Sequence, residues 1–331
     1  MKWPRRLLFS LLPLALLLLL AEGGARLVGP PGEPPAGEDY QMPVHPTRLW
    51  APRPGATMGQ GDRAIHINAQ GLRELPLSGA PLRILTLGDS NIFGHDLADA
   101  DTLQLRLREA LAARGVQADV LCGGVPGYSS EQSRALLDEL GWSLQPDLLL
   151  IANLLSDSTH EHFQDRAWMR QLQAPPSRVD ALLRASLAWS WLRHALVHES
   201  RIERRIRWIR EPNLRAAERV SPGEYEENLR GMLADAAARG VGGILFQLAT
   251  TDRYAGRPDA PEYVAIQREV AADTGVPIVD AVDVLNAAKL APERAFIDPV
   301  HASGEANGRY GEAIAEALLK AGWPTNRLLA R

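Results

Sequence analysis

Apolar and polar positions along this chain alternate between short, nearly unbroken hydrophobic runs and stretches with helical spacing. RILTLGDS (83–90), ADVLCGG at the head of 118–130, PDLLLIANLL (146–155), GGILFQLA (242–249) and VPIVDAV (276–282) are runs bounded by Gly, Pro or Asp, the pattern of strands buried on both faces. Helical spacing covers 102–114, with Leu103, Leu105, Leu107 and Leu111, and continues in 130–140, 221–239, 261–275 and 304–321. Ser221-x-x-Glu224 reads as a capping box and Gly240 as the C-terminal stop of that helix. Five apolar strands alternating with helices predict a doubly wound α/β domain, its parallel sheet covered on both faces.

The flanking regions follow other rules. Lys2, Arg5 and Arg6 precede an uncharged run, 7–21, whose fifteen residues span roughly 22 Å as a helix, short of a bilayer core. Such a leader is an export signal. Ala21 and Ala25 offer cleavage points outside a clean A-x-A context, and extension to Val28 makes a signal anchor. Residues 1–28 are therefore expected as a signal anchor or signal peptide, the rest of the chain lying across the membrane from the basic end, tethered to a bacterial envelope or secreted if cleaved. Only three of the 36 basic residues are Lys, which fits an Arg- and Ala-rich bacterial coding bias. Residues 29–64 read as a Pro-rich linker, with six prolines within 29–47. IHINAQGLRELP, from Ile65, reads as a short edge strand ended by a Gly turn, opening a domain over 65–331. Residues 160–220 form a helical insertion after the third strand. Within it, Trp189, Trp191 and Trp208 stand among Arg193, Arg201, Arg204, Arg205, Arg207 and Arg210, either as a helix with a solvated Arg face or as a cap or lipid-facing surface.

Composition removes several classes. With 46% hydrophobic and 23% charged residues the 331-residue chain has material for a core. The balance of 36 basic and 40 acidic residues, net −4, lacks the excess a nucleic-acid binder needs, so no nucleic-acid partner is expected. The single cysteine, Cys122, makes no intramolecular disulfide. Asp157, His160 and His162 lack the i, i+4 spacing of helical metal ligands, so no metal or cofactor is expected. No feature of the sequence sets an oligomeric state.

In doubly wound sheets ligands meet the loops after the strands. Gly88-Asp89-Ser90 follows the first strand, where Gly permits a tight turn and Ser at a helix start has its hydroxyl among free backbone N–H groups; taken alone, such a Ser is an N-cap. Gly123-Gly124-Val125-Pro126-Gly127-Tyr128 follows the second strand, and its N–H groups can approach a ligand oxygen. Asp298-Pro299-Val300-His301 precedes the last helix; the carboxylate can orient the imidazole, which can take the Ser90 proton as a general base.

With these three blocks together, the chain resembles the SGNH (GDSL) hydrolase family over roughly 65–325, and INAQGLR extends the likeness to membrane-tethered bacterial members. The resemblance implies a flavodoxin-like α/β/α sandwich of strand order 2-1-3-4-5 and ester hydrolysis or acyl transfer without a metal. It makes Ser90 the nucleophile, His301 the base and Asp298 its orienting carboxylate, with the N–H groups of Ser90 and Gly127 donating to the oxyanion. The third block departs from the family: Leu154-Leu155-Ser156-Asp157 stands where Gly-x-Asn-Asp is usual. Ser156 is expected to take the place of the missing Asn, with Asn153 as the alternative. Cys122 replaces an Asn common at the second block. Asp89, Tyr128, Asp157 and His160 are expected to line the substrate cleft, and His95 to lie on a helix surface.

The expected activity is an exported serine esterase acting on small acyl esters, O-acetylated glycans or lipid and lysolipid esters. Transfer of the acyl group to an envelope glycan, and a non-catalytic envelope binding or assembly role, are the alternatives.

Overall fold

The computed structural model describes residues 3–29, 42–161, 163–175, 178–196 and 217–330. The chain divides into two compact units, Met1–Tyr40 with Ala174–Leu214, and Gln41–Gln173 with Arg215–Arg331.

The larger unit is built on five parallel strands, β1 (Leu82–Gly88), β2 (Ala118–Gly124), β3 (Leu148–Ile151), β4 (Gly242–Gln247) and β5 (Ile278–Asp280). Their spatial order is β2-β1-β3-β4-β5, with β1 paired to β2 from Leu82↔Ala118 to Gly88↔Gly124 and to β3 from Ile84↔Leu148 to Leu87↔Ile151. The strands read as unbroken apolar runs because helices cover both faces: Ile84, Leu85, Leu87, Leu148 to Ile151, Ile244 and Leu245 are all fully buried. Alongside lie α1 (Ser90–Phe93), α2 (Leu103–Ala112), α3 (Ser130–Glu139), α4 (Pro222–Ala238), α5 (Pro261–Thr274) and α6 (Gly304–Lys320). Helix α2 packs on α6, and α4 on both α3 and α5, giving the flavodoxin-like α/β/α sandwich. The capping box of Ser221 and Glu224 forms at the start of α4, and a second joins Ser129 and Gln132 at α3.

Two boundaries differ from the sequence expectation. The domain begins well before residue 65. Met42, Leu49 and Ala51 are buried, Val44–His45 pairs with Leu49–Trp50, and Thr57–Met58 pairs with Ile65–His66, which is not an edge strand of the main sheet. Proline content alone read this segment as a spacer, whereas its few large apolar side chains find a place on the core. The insertion is also divided: its ends His160–Glu161 and Ala217–Glu218 pair antiparallel, and Asp165–Gln173 stays with the sheet unit.

In the smaller unit the helix Trp3–Val28 meets Leu187–Leu196, which also meets Arg178–Ala185, and the helical insertion is broken at Ser186. Glu22 caps Leu187–Leu196, accepting hydrogen bonds from Ser186 Oγ (2.7 Å), Leu187 N (3.2 Å) and Ala188 N (3.1 Å). Leu16 to Leu20 are all exposed. Among the described residues no helix is long and apolar enough to cross a membrane. Trp208 and the arginines of 201–210 lie outside the described residues.

Candidate active site

The first strand ends at Gly88, and the chain turns at Asp89 into α1. Asp89 adopts an extended backbone and its carboxylate accepts from Asn91 N at 2.9 Å, so it caps the helix while Ser90 occupies the first turn. This four-residue helix is braced from its far end. Buried Arg73 donates to Phe93 O (2.8 Å), Gly94 O (2.6 Å) and Leu97 O (2.9 Å), and Gln104 Nε2 donates to Ile92 O at 2.7 Å. Those carbonyls have no continuing helix to bond to, and side chains satisfy them instead. Cys122 joins the brace, its Sγ 3.4 Å from Ile92 O; burial pushes its thiol up to about 11, so it is a packed thiol and not a nucleophile. Gly124 is required by close approach: a Cβ there would lie 2.5 Å from Phe93 N.

Across this turn the segment ahead of α6 brings His301. Its Nε2 lies 2.8 Å from Ser90 Oγ, and its Nδ1 lies 2.6 Å from Asp298 Oδ2. Asp298 Oδ1 also accepts from Val300 N and His301 N, each at 2.8 Å. Burial tends to raise the Asp298 carboxyl, but the hydrogen bonds from the His301 ring and these two amides outweigh it, holding the group below the ordinary carboxylate value. An ionised carboxylate only accepts, so Nδ1 carries the proton, Nε2 is the acceptor and the Ser90 hydroxyl donates to it. The three residues Ser90, His301 and Asp298, 211 and three positions apart in sequence, thus stand in one hydrogen-bonded line.

The remaining expected site residues divide. Ser90 N and Gly127 N have no acceptor among the described residues. Ser156 Oγ lies 3.4 Å from Asp89 Oδ2, beside the turn that carries Ser90, and donates to that carboxylate. Asn153 is turned away: it is buried and its Nδ2 donates to Ser133 Oγ at 2.9 Å. Asp89, Tyr128 and Asp157, expected in the cleft, are buried instead. Asp89 spends its carboxylate on capping, and burial raises its pKa. Tyr128 donates to Trp50 O at 2.7 Å. Asp157 accepts from Ser130 N at 2.8 Å, and its Oδ2 has no partner among the described residues. His160 is exposed, its Nε2 3.5 Å from Glu218 Oε1 in the short pairing at the root of the insertion, and among the described residues no hydrogen bond or ion pair joins it to Ser90. His162 lies outside the described residues. His95, expected on a helix surface, follows α1 and sets its ring 5.2 Å from that of His301.

Two residues around the Gly-rich loop carried no signal in the sequence. Trp50 Nε1 donates to Pro126 O at 3.1 Å. Arg219, at the end of the insertion, donates to Gly127 O (2.7 Å) and Gln132 Oε1 (2.6 Å) and forms a two-pronged pair with buried Asp165 (3.1 and 2.7 Å). Neither belongs to a motif, and each reaches the loop across more than seventy residues of chain.

No family model and no curated protein matches the chain. Solved structures with a similar chain path include a lipase/acylhydrolase from Enterococcus faecalis, 16% identical, covering 72% of this chain and 96% of that one at a TM-score of 0.46. Another is Axe2, an acetylxylan esterase from Geobacillus stearothermophilus, 17% identical, covering 76% and 99% at 0.47. A third is LAE5, an α/β hydrolase enzyme from the metagenome of Lake Arreo, 17% identical, covering 72% and 95% at 0.47.

Proposed function

We propose that this protein is a serine esterase of the SGNH type that hydrolyses small acyl esters. The observation that carries the reading is the unbroken line from Ser90 Oγ through the His301 ring to the Asp298 carboxylate. Ser90 Oγ attacks the acyl carbonyl as His301 Nε2 takes its proton, and the ionised Asp298 stabilises the imidazolium. The unpaired N–H groups of Ser90 and Gly127 are available to the developing oxyanion. His301 then returns the proton to the departing alkoxide, leaving acyl-Ser90. Water attacks that ester with His301 again as base, and the acid is released. The same acyl-enzyme passes its acyl group to a sugar hydroxyl where one replaces water.

The basic residues and apolar run at the N-terminus, together with the exposed leucines of the helix Trp3–Val28, support an extracytoplasmic location, with O-acetylated glycans and lipid or lysolipid esters as substrates within reach. The test is hydrolysis of p-nitrophenyl acetate, butyrate and octanoate by the full chain and by Ser90→Ala. Turnover is expected to fall by about 10³-fold or more in the variant, with loss of fluorophosphonate labelling. A folded parent that is neither labelled nor active rejects the esterase and leaves a binding role.

A further inference from the structure

We infer that Trp50, which lies outside every motif of the sequence, is the positioning residue that aims the Gly127 N–H at the oxyanion. This inference rests on the serine-esterase reading, in which that N–H is a donor.

Residues 125–128 form a β-turn closed by Tyr128 N donating to Val125 O at 3.0 Å, with Pro126 second and Gly127 third at φ +75°. Those positions and that φ define a type II turn. Types I and II differ by rotating one peptide, here Pro126–Gly127, by about half a turn, and glycine in the third position tolerates either. The turn by itself therefore leaves the direction of the Gly127 N–H weakly determined. The indole N–H of Trp50 removes that freedom by donating to Pro126 O at 3.1 Å. In a trans peptide the C=O and N–H point in opposite directions, so holding the Pro126 carbonyl fixes the Gly127 N–H. The same hydrogen bond polarises the peptide and makes its N–H a stronger donor.

The indole is itself held. The Arg219 guanidinium lies 5.2 Å from the ring centroid, and Tyr128 meets the ring edge-on at 6.1 Å. Tyr128 also donates to Trp50 O, and Arg219 donates to Gly127 O, the carbonyl on the other side of the glycine. Val125 N donates to Gly88 O at 3.1 Å, which moors the turn beside the strand end that carries Asp89 and Ser90. A Cβ on residue 127 would meet Trp50 at 3.3 Å, so ring and turn are in contact.

An oxyanion donor that is aimed in only part of the molecules affects the transition state, not substrate binding. In Trp50→Phe a smaller ring remains against Arg219 and Tyr128, and the N–H is lost together with the fused second ring. We expect kcat on p-nitrophenyl acetate to fall about tenfold with KM unchanged, and affinity for an alkyl boronic acid, whose Ser90 adduct places an oxygen at the oxyanion position, to fall by a similar factor. β-(3-benzothienyl)alanine at position 50 keeps the indole's shape and replaces its N–H with sulfur; it should lose the same factor with an unchanged melting temperature. Parental kcat and boronate affinity in the benzothienyl variant would overturn the inference, whatever the fate of Trp50→Phe, while leaving the esterase intact. A parent that is neither labelled by fluorophosphonate nor active would overturn the esterase reading and this inference with it.

Discussion

Asp298 and Asp157 both accept hydrogen bonds from backbone amides of the same domain, and their surroundings give them opposite characters. Asp298 is about 41% exposed at its side chain, accepts from two amides and one imidazole, and is held below the ordinary carboxylate value. Asp157, in the turn after β3, is fully buried. Ser130 is its one donor and its Oδ2 has no partner, both among the described residues, with Arg219 and Asp165 acting on it only through their charge and Tyr225 buried nearby. Burial pushes its pKa up to about 7, against the pull of the Ser130 hydrogen bonds. A carboxylate serves as a fixed charge when its oxygens are saturated by donors, and burial without that saturation makes it a proton store. The first kind can stabilise an imidazolium, and the second contributes chiefly to the pH dependence of folding.

The largest effect that tests this contrast is Asp298→Asn. The amide can donate to Nδ1 and favour the wrong ring tautomer, so kcat should drop by about 10²–10⁴ while the fold is unchanged. A loss smaller than about tenfold would mean that Asp298 does not set the tautomer.

Asp157→Asn should do the reverse, leaving kcat in place and changing the pH dependence of stability. The folded pKa of Asp157 lies above its unfolded value, so its contribution to stability is fully present below about pH 4 and is lost as pH rises through about 7. Urea melts at pH 5 and pH 8 should show the parent losing stability across that window by an amount on the order of a few kcal/mol, and the variant losing much less. Parallel curves would contradict the raised pKa. Asp298, lowered, has the opposite sign: its contribution is present at neutral pH and is lost only as the medium turns acid enough to protonate it.

The smallest effect belongs to Ser156, the chain neighbour of Asp157. Its hydroxyl makes one long hydrogen bond, 3.4 Å, to Asp89. Ser156→Ala should change kcat by less than about threefold, as loss of a weak hydrogen bond does. A fall of about 10² would instead assign Ser156 to the oxyanion hole.

The predicted strands and principal helices were legible because a parallel sheet covered on both sides needs continuous apolar strands, and its helices carry their own caps. Ser90, His301 and Asp298 were legible for a related reason. The Gly that permits the turn, and the Asp three residues before the His, are local requirements written next to the residue they serve. The cleft residues were misplaced because position in a loop after a strand tells which end of the sheet a residue occupies, not which way its side chain turns. Tyr128 and Asp157 turn inward, toward Trp50 O and Ser130 N.

The sequence by itself determined the order of elements, the sandwich and the identity of the hydrogen-bonded trio. Tertiary structure decided how that trio is surrounded. Arg73 reaches the helix that carries Ser90 across 20 residues, Trp50 reaches Pro126 across 76 and Arg219 reaches Gly127 across 92. Each is a single buried or half-buried polar side chain satisfying a backbone carbonyl that its own element leaves open. The need for such a partner is local, but which residue meets it is settled only when the folded chain brings one within hydrogen-bonding distance.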